Sequence, residues 1–210
     1  MSELKRLFQN GGLFRFSNNC SVNPLKEFMT FSKYAGYRGR FPFTYVEDKI
    51  HFESDITIKE FLFRELTNDL EKFDCAKALE ERNASHLNEF LFKRYDLEDP
   101  IKQVDYETAK LFSILKSFLC SPQKMVFIHM DKISFTPGLN ERMARIMKRE
   151  VTDKKRSIIV SGDIPQQWES LLVAQIKQGP RKNFHIISTS VDDSPQDDRN
   201  YVENSNKHAA

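Results

Sequence analysis

LFSILKSFLCSPQKMVFI, residues 111–128, joins two patterns that belong to different kinds of structure. Leu111, Phe112, Ile114, Leu115, Phe118 and Leu119 put apolar groups on most sides of a helix, which predicts deep packing. Ser121-Pro122 ends it. Met125-Val126-Phe127-Ile128 then runs apolar without alternation, as a parallel strand covered on both faces does and a one-sided strand does not. Downstream, Leu139, Met143, Met147 and Val151 share one face of an amphipathic helix, and Ser157-Ile158-Ile159-Val160 is a second buried strand. Asp163 is expected to cap a helix through Trp168 and Leu172, with Phe184-His185-Ile186-Ile187 as the last strand. Strand, helix, strand, helix, strand at this spacing implies an α/β fold with a parallel sheet and crossover helices. Residues 125–128 and 158–160 should be neighbouring central strands, with a helix over about 106–120 packed on them.

Working upstream, Thr57-Ile58-Lys59-Glu60 matches a capping box, and Phe61, Leu62, Leu66, Leu70 and Phe73 follow it at helical spacing. Residues 76–95 read as one or two further helices broken near Asn83-Ala84-Ser85. Nearer the start, Leu13-Phe14-Arg15-Phe16 is a short strand, Pro24 opens a helix to about Tyr34, and 36–43 is loop and short strand. The expected organisation is one domain over 1–190, with a small helical part at about 57–105. The polar stretch 191–210 has almost nothing to bury and is expected to be a removable disordered tail.

Composition narrows the function classes. Thirty-two Lys and Arg against 30 Asp and Glu leave a net charge of +2, which argues against a nucleic-acid partner held by a strong overall field. No apolar run is long enough to cross a bilayer, and the first residues lack the apolar core of a signal peptide, so a cytoplasmic location without direct membrane insertion is expected. Cys20, Cys75 and Cys120 are far apart and in no metal-binding spacing; they read as reduced thiols in or near the core. The 18 Phe suit a large core or a partner surface.

The order of these pieces, from Leu13 to Thr189, resembles the nucleotide-binding domain of ATP-binding cassette (ABC) transporters, a P-loop NTPase-like fold. Asp55-Ile56-Thr57-Ile58-Lys59-Glu60-Phe61-Leu62 is similar to the segment with which that family opens its helical subdomain. Val104 to Thr136 follows the family's succession of signature loop, buried helix, Pro-containing turn, strand and D-loop, with Thr136-Pro137 where the family has Asp-Pro. Ile158-Ile159-Val160-Ser161-Gly162-Asp163 falls where the family has a strand ending in Thr-His-Asp.

The same resemblance marks what the chain lacks. A phosphate loop needs glycines, whose amides can crowd the phosphates, and a Lys that reaches them. Here the turn is Phe16-Ser17-Asn18-Asn19-Cys20-Ser21-Val22-Asn23; Asn18 alone keeps the family residue, Val22 takes the Lys position and Asn23 that of the magnesium-binding Ser or Thr. After Ile128 the Asp and Glu of the hydrolytic centre are His129 and Met130. A register slip would restore Asp131, but Lys132 would then stand where a general base is needed. The signature loop reads Val104-Asp105-Tyr106-Glu107-Thr108 without glycine, Gly162 replaces the switch His, and Arg40 stands at the Q-loop Gln. About a dozen residues precede Leu13 where the family spends some thirty on an antiparallel sheet that carries the adenine-stacking aromatic.

The resemblance therefore implies a pseudo-ATPase without enzymatic activity, cofactor or metal. Its implied role is structural or regulatory, beside an active ABC-type ATPase or a membrane permease, as a possible dimer reaching the inner membrane through that partner. A divergent ATPase using Asp131 and Asp163, and an unrelated α/β interaction module, are the rival readings. Taken singly, His129 reads as a core or rim histidine rather than a ligand or proton carrier, Asp105 and Glu107 as a solvated helix start, and Lys148, Arg149, Lys154, Lys155 and Arg156 as a solvated basic face, with headgroup or nucleic-acid contact as the lesser reading. Tyr37, Arg38, Arg40, Phe41 and Phe43 resemble a base-stacking groove, for which the family framework substitutes a contact with a transporter's coupling helices. Phe61, Phe63, Phe73, Phe90 and Phe92 are assigned to the core of the helical part.

Overall fold

The computed structural model describes residues 7–17, 23–35, 43–48, 52, 55–121, 123–130, 135–179 and 183–189. Six strands form one sheet: β1 (Gly12–Ser17), β2 (Phe43–Val46), β3 (Met125–Met130), β4 (Ser157–Gly162), β5 (Leu172–Gln178) and β6 (Phe184–Ser188), in the spatial order β2-β3-β4-β1-β5-β6. The first five are parallel and β6 closes the edge antiparallel to β5. β3 and β4 pair as neighbours in register Val126↔Ile158 to Met130↔Gly162, as the apolar runs predict.

Their continuous apolar character comes from helices on both faces. On one side lies α1 (Pro24–Tyr34). Phe14 and Phe16 of β1, Phe127 of β3, Ile159 of β4 and Ile176 of β5 pack there with Phe28 and Phe31 of α1. Phe28 and Phe127 stack face to face, centroids 4.3 Å apart, a geometry that adds to the area their rings bury. On the other side Leu13, Val126, Ile128, Ile158 and Val160 face α5 (Tyr106–Cys120) and α6 (Pro137–Thr152). Strand alternation thus sends the two halves of each apolar run to opposite cores.

Between β2 and α5 come three short helices, α2 (Ile58–Phe63), α3 (Cys75–Glu81) and α4 (His86–Phe92). Thr57 caps α2 as its sequence predicts, its Oγ1 accepting from the Glu60 amide at 3.1 Å, while the Glu60 carboxylate turns to Arg64 at 3.3 Å. Asn83, at φ 52°, makes the predicted break between α3 and α4.

Several expectations are corrected. The helix expected to carry on to Phe73 stops at Phe63 and passes through a 3-10 turn to an extended Thr67. The polar triplet Thr67-Asn68-Asp69 competes for backbone bonds: Thr67 Oγ1 accepts from the Asp69 amide at 3.1 Å and Asp69 from the Lys72 amide at 3.3 Å. Asp163 caps no helix. Pro165 holds the chain extended, a 3-10 turn spans Gln166–Leu171, and Leu172 already belongs to β5. The strand expected to end at Phe43 begins there, and Phe92 is 41% exposed rather than core. Arg156 is no part of a solvated face: it is buried against the fully buried Glu150. Residues 36–42, with Tyr37, Arg38, Arg40 and Phe41, lie outside the described residues, as do 191–210 and Cys20.

Candidate functional site

Ligands of open α/β sheets collect beyond the carboxyl ends of the parallel strands. Here that edge is made by Ser17 of β1, Ser161 and Gly162 of β4, and His129 and Met130 of β3, with Phe16 beside Ser161 and His129 beside it on the other flank. Five of the predicted positions are described: Asn23, Asp105, His129, Met130 and Gly162. Asn18, Val22, Arg40 and Asp131 lie outside the described residues.

Each described polar position is held by a local bond. Asn23 caps α1, its side-chain oxygen accepting from the amides of Leu25 at 2.9 Å and Lys26 at 3.4 Å. Asp105 caps α5, accepting from the Thr108 amide at 2.8 Å and the Thr108 hydroxyl at 2.9 Å. Those donors stabilise the charged carboxylate, led by the Thr108 amide, and lower its pKa from the usual range. Glu107 accepts from the Thr136 amide at 3.0 Å and so joins the start of α5 to the entrance of α6.

His129 lies on the rim, as expected, its Nδ1 3.2 Å from the Tyr45 hydroxyl. Its carbonyl accepts from Lys110 Nζ at 2.5 Å, and the same ammonium donates to the carbonyl of Glu47 just beyond β2. Lys110 is fully buried. It brings a fixed positive charge from α5 to the ends of β2 and β3, the contribution sequence reasoning missed. Its signal is a lone cation in an otherwise apolar helical stretch, Ala109-Lys110-Leu111-Phe112. Tyr106 adds a second tie, its hydroxyl donating to the Asp48 carbonyl at 2.7 Å. Met130 is buried at 1% exposure and offers no ligand atom to the edge. Gly162, at φ 102°, turns the chain out of β4. Asp163, its side chain fully exposed, stands 3.4 Å from Arg15. Among the described residues no three His, Cys, Asp or Glu side chains gather where a metal could be held.

The chain as a whole matches solved structures well enough to settle one point. The fold is that of an ABC ATPase. One match is an ATP-binding subunit of an ABC transporter: TM-score 0.55, 16% identity, covering 80% of this chain and 74% of the other. Another is a metal-chelate type ABC transporter in an inward-facing conformation, at TM-score 0.55 and 10% identity, covering 86% and 72%. A third is a complex of the archaeal ribosomal stalk protein aP1 with the ribosome recycling factor aABCE1, at TM-score 0.55 and 9% identity, covering 85% of this chain and 35% of that one. No family model matches the sequence, and no curated protein does. Among the described residues, no helix of this ABC ATPase fold is long and apolar enough to cross a membrane.

Proposed function

We propose that the chain is a non-catalytic ABC ATPase-like subunit that acts through its surfaces, holding or regulating an active ABC-type ATPase or a membrane permease in a transport or export complex. The observation that carries the reading is the use made of the strand-end positions. Asn23 and Asp105 are spent as helix caps, and the His129 carbonyl is held by Lys110. A catalytic phosphoryl site needs a cation at the terminal phosphates, a metal-organising carboxylate and a positioned base. Val22, His129 and Met130 supply none of the three. Of the two carboxylates of the rival scheme, Asp163 is the described one, and it is fully exposed beside Arg15. The fold persists without nucleotide chemistry, because its two cores are self-contained and its site is grafted on them.

Incubation of the chain with Mg-ATP tests this. The expected result is no phosphate release above background, against the 1–10³ s⁻¹ or so of ordinary enzymes. Turnover that disappears with Asp163→Asn would establish the divergent-ATPase reading instead. Installing Val22→Lys with Asn23→Ser is expected to leave the chain inactive, since His129 and Met130 still stand where the family has its Asp and Glu. Affinity capture from native cells should recover an ABC-type ATPase or a permease.

A further inference from the structure

A second concave surface lies away from the strand ends, between α4 and α6. It is an open cleft of about 650 Å³, within the size range of small-molecule sites. Arg142, Arg145 and Arg149, at i, i+3 and i+7 along α6, form one wall, and Lys93 and Arg94 at the end of α4 face them. None of the described residues lining the cleft is acidic. Like charges three and four residues apart on a helix repel; Glu141 and Asp153, four residues from Arg145 and Arg149, offset part of this, and an anion in the cleft would relieve more of it.

Behind the cations the wall of the cleft is closed by a histidine and two apolar side chains. His86 lines it with a side chain only 8% exposed, and its buried Nε2 has no hydrogen-bond partner. The nearest carboxylate, Glu150, is 3.9 Å away and already engaged by Lys154 at 2.7 Å and Arg156 at 3.0 Å. His86 Nε2 thus faces inward, to Glu150, and what the cleft presents to a ligand is its cations. Phe90 and Ile146, both buried, give the cleft an apolar floor.

We propose that the cleft between α4 and α6 binds a compact polyanion carrying two or more phosphate groups. Guanidinium forks match phosphate oxygens two at a time, which favours phosphate over a lone carboxylate. The positive charge is local, in a chain whose net charge is only +2, and that fits a small ligand better than a long nucleic acid. The proposal goes beyond the function proposed above and does not depend on it. Mg-ATP binding abolished by changes in this cleft is cleft binding; Mg-ATP binding that survives them counts against the non-catalytic reading alone.

Calorimetry of the full chain with sodium tripolyphosphate, at about 0.15 M salt to screen loose surface attraction, is the test. Expected is one site per chain with Kd below about 100 µM, a scale on which tenfold corresponds to about 1.4 kcal/mol. Arg145→Gln with Arg149→Gln should weaken binding at least tenfold while the melting temperature stays level or rises. Lys72→Gln, at a solvated lysine outside the cleft, should change nothing. If the double variant does not fold, Arg145→Gln alone should weaken binding threefold or more. Absence of saturable heat, stoichiometry above one, or equal affinity in the cleft variants would overturn the proposal. So would binding confined to a single-stranded RNA oligomer with none to tripolyphosphate, which would make this face a nucleic-acid surface.

Discussion

Lys110, Arg156 and His86 are polar side chains carried into the interior, and each is there for a different reason. Lys110 has its hydrogen bonds met by carbonyls at the ends of β2 and β3. Arg156 sends Nε to Glu150 at 3.0 Å and its two terminal nitrogens to the carbonyls of Gln123 and Phe118, each at 3.1 Å, so one guanidinium clasps α5, α6 and the approach to β3. Breaking such a pair on one side typically costs about 3–5 kcal/mol, because the other charge is left buried. The role of Arg156 is not legible in sequence, because a cation in a loop reads as solvated until its tertiary partners are known; Lys110 shows only as a lone cation in an apolar helical stretch. His86 is different again. Burial, against an opposing pull from Glu150, lowers its pKa below the ordinary 6.5, with Lys154 and Arg149 adding to the effect and Asp153 opposing it. The unfolded chain therefore takes up that proton at a higher pH than the folded one. This contribution to stability is complete above about pH 6.5 and is lost as pH falls from there towards the folded value. Chemical denaturation at pH 7.5 and 5.5 should show a smaller loss of unfolding free energy in His86→Gln than in the parent chain. An equal loss would place the titration elsewhere.

At the scale of elements, helix starts were the most legible features, because a cap is a local bond between neighbours in sequence. Thr57, Asp105 and Pro24 announce α2, α5 and α1 within a residue. Ends were harder. The apolar spacing of Phe61 to Phe73 persists beyond Phe63 because Leu66, Leu70 and Phe73 still pack on the core, though from non-helical backbone. Periodicity reported burial correctly and conformation wrongly. β5 was missed for a related reason: Trp168 and Leu172 share helical spacing, while Pro165 forces the turn that delivers Leu172 to the sheet. The same caps bear on the candidate site, since Asp105 positions the helix that presents Lys110. Asp105→Ala should cost about 0.5–2 kcal/mol. In a chain of this size that is a drop of roughly 1–8 °C by scanning calorimetry. A change below 1 °C would mean that the Asp105 bonds contribute nothing net and that the residue is free for another task.

For the whole molecule, the parallel centre was readable because two unbroken apolar runs need cover on both faces. What composition could not say was which face holds the aromatics. The phenylalanines assigned to the helical part are only a share of the set; Phe8, Phe14, Phe16, Phe28, Phe31, Phe43, Phe127 and Phe184 form the core beneath α1. They come from both ends and the middle of the chain, so no window of sequence contains the cluster. The strand-end site was legible in residue types but not in roles, since the bonds of Lys110 and Tyr106 join segments far apart in sequence. Because β1 lies between β4 and β5, a chain ended at Thr152 would keep β1 and lose both of its neighbours. Such a fragment should give no cooperative thermal transition and should bind an apolar dye. A sharp transition would show that residues 1–152 fold alone.

The central place of β1 also sets a clock on biosynthesis. Gly12 pairs with Ser157, so β1, once made, waits for about 145 further residues before that partner exists. At 5–20 residues per second the wait is roughly 7–30 s. Throughout it Leu13, Phe14 and Phe16 travel with the nascent chain as an unpaired apolar segment, the kind of surface that chaperones meet. A strand that the finished protein flanks on both sides is thus one the cell must shelter while the chain is still being made.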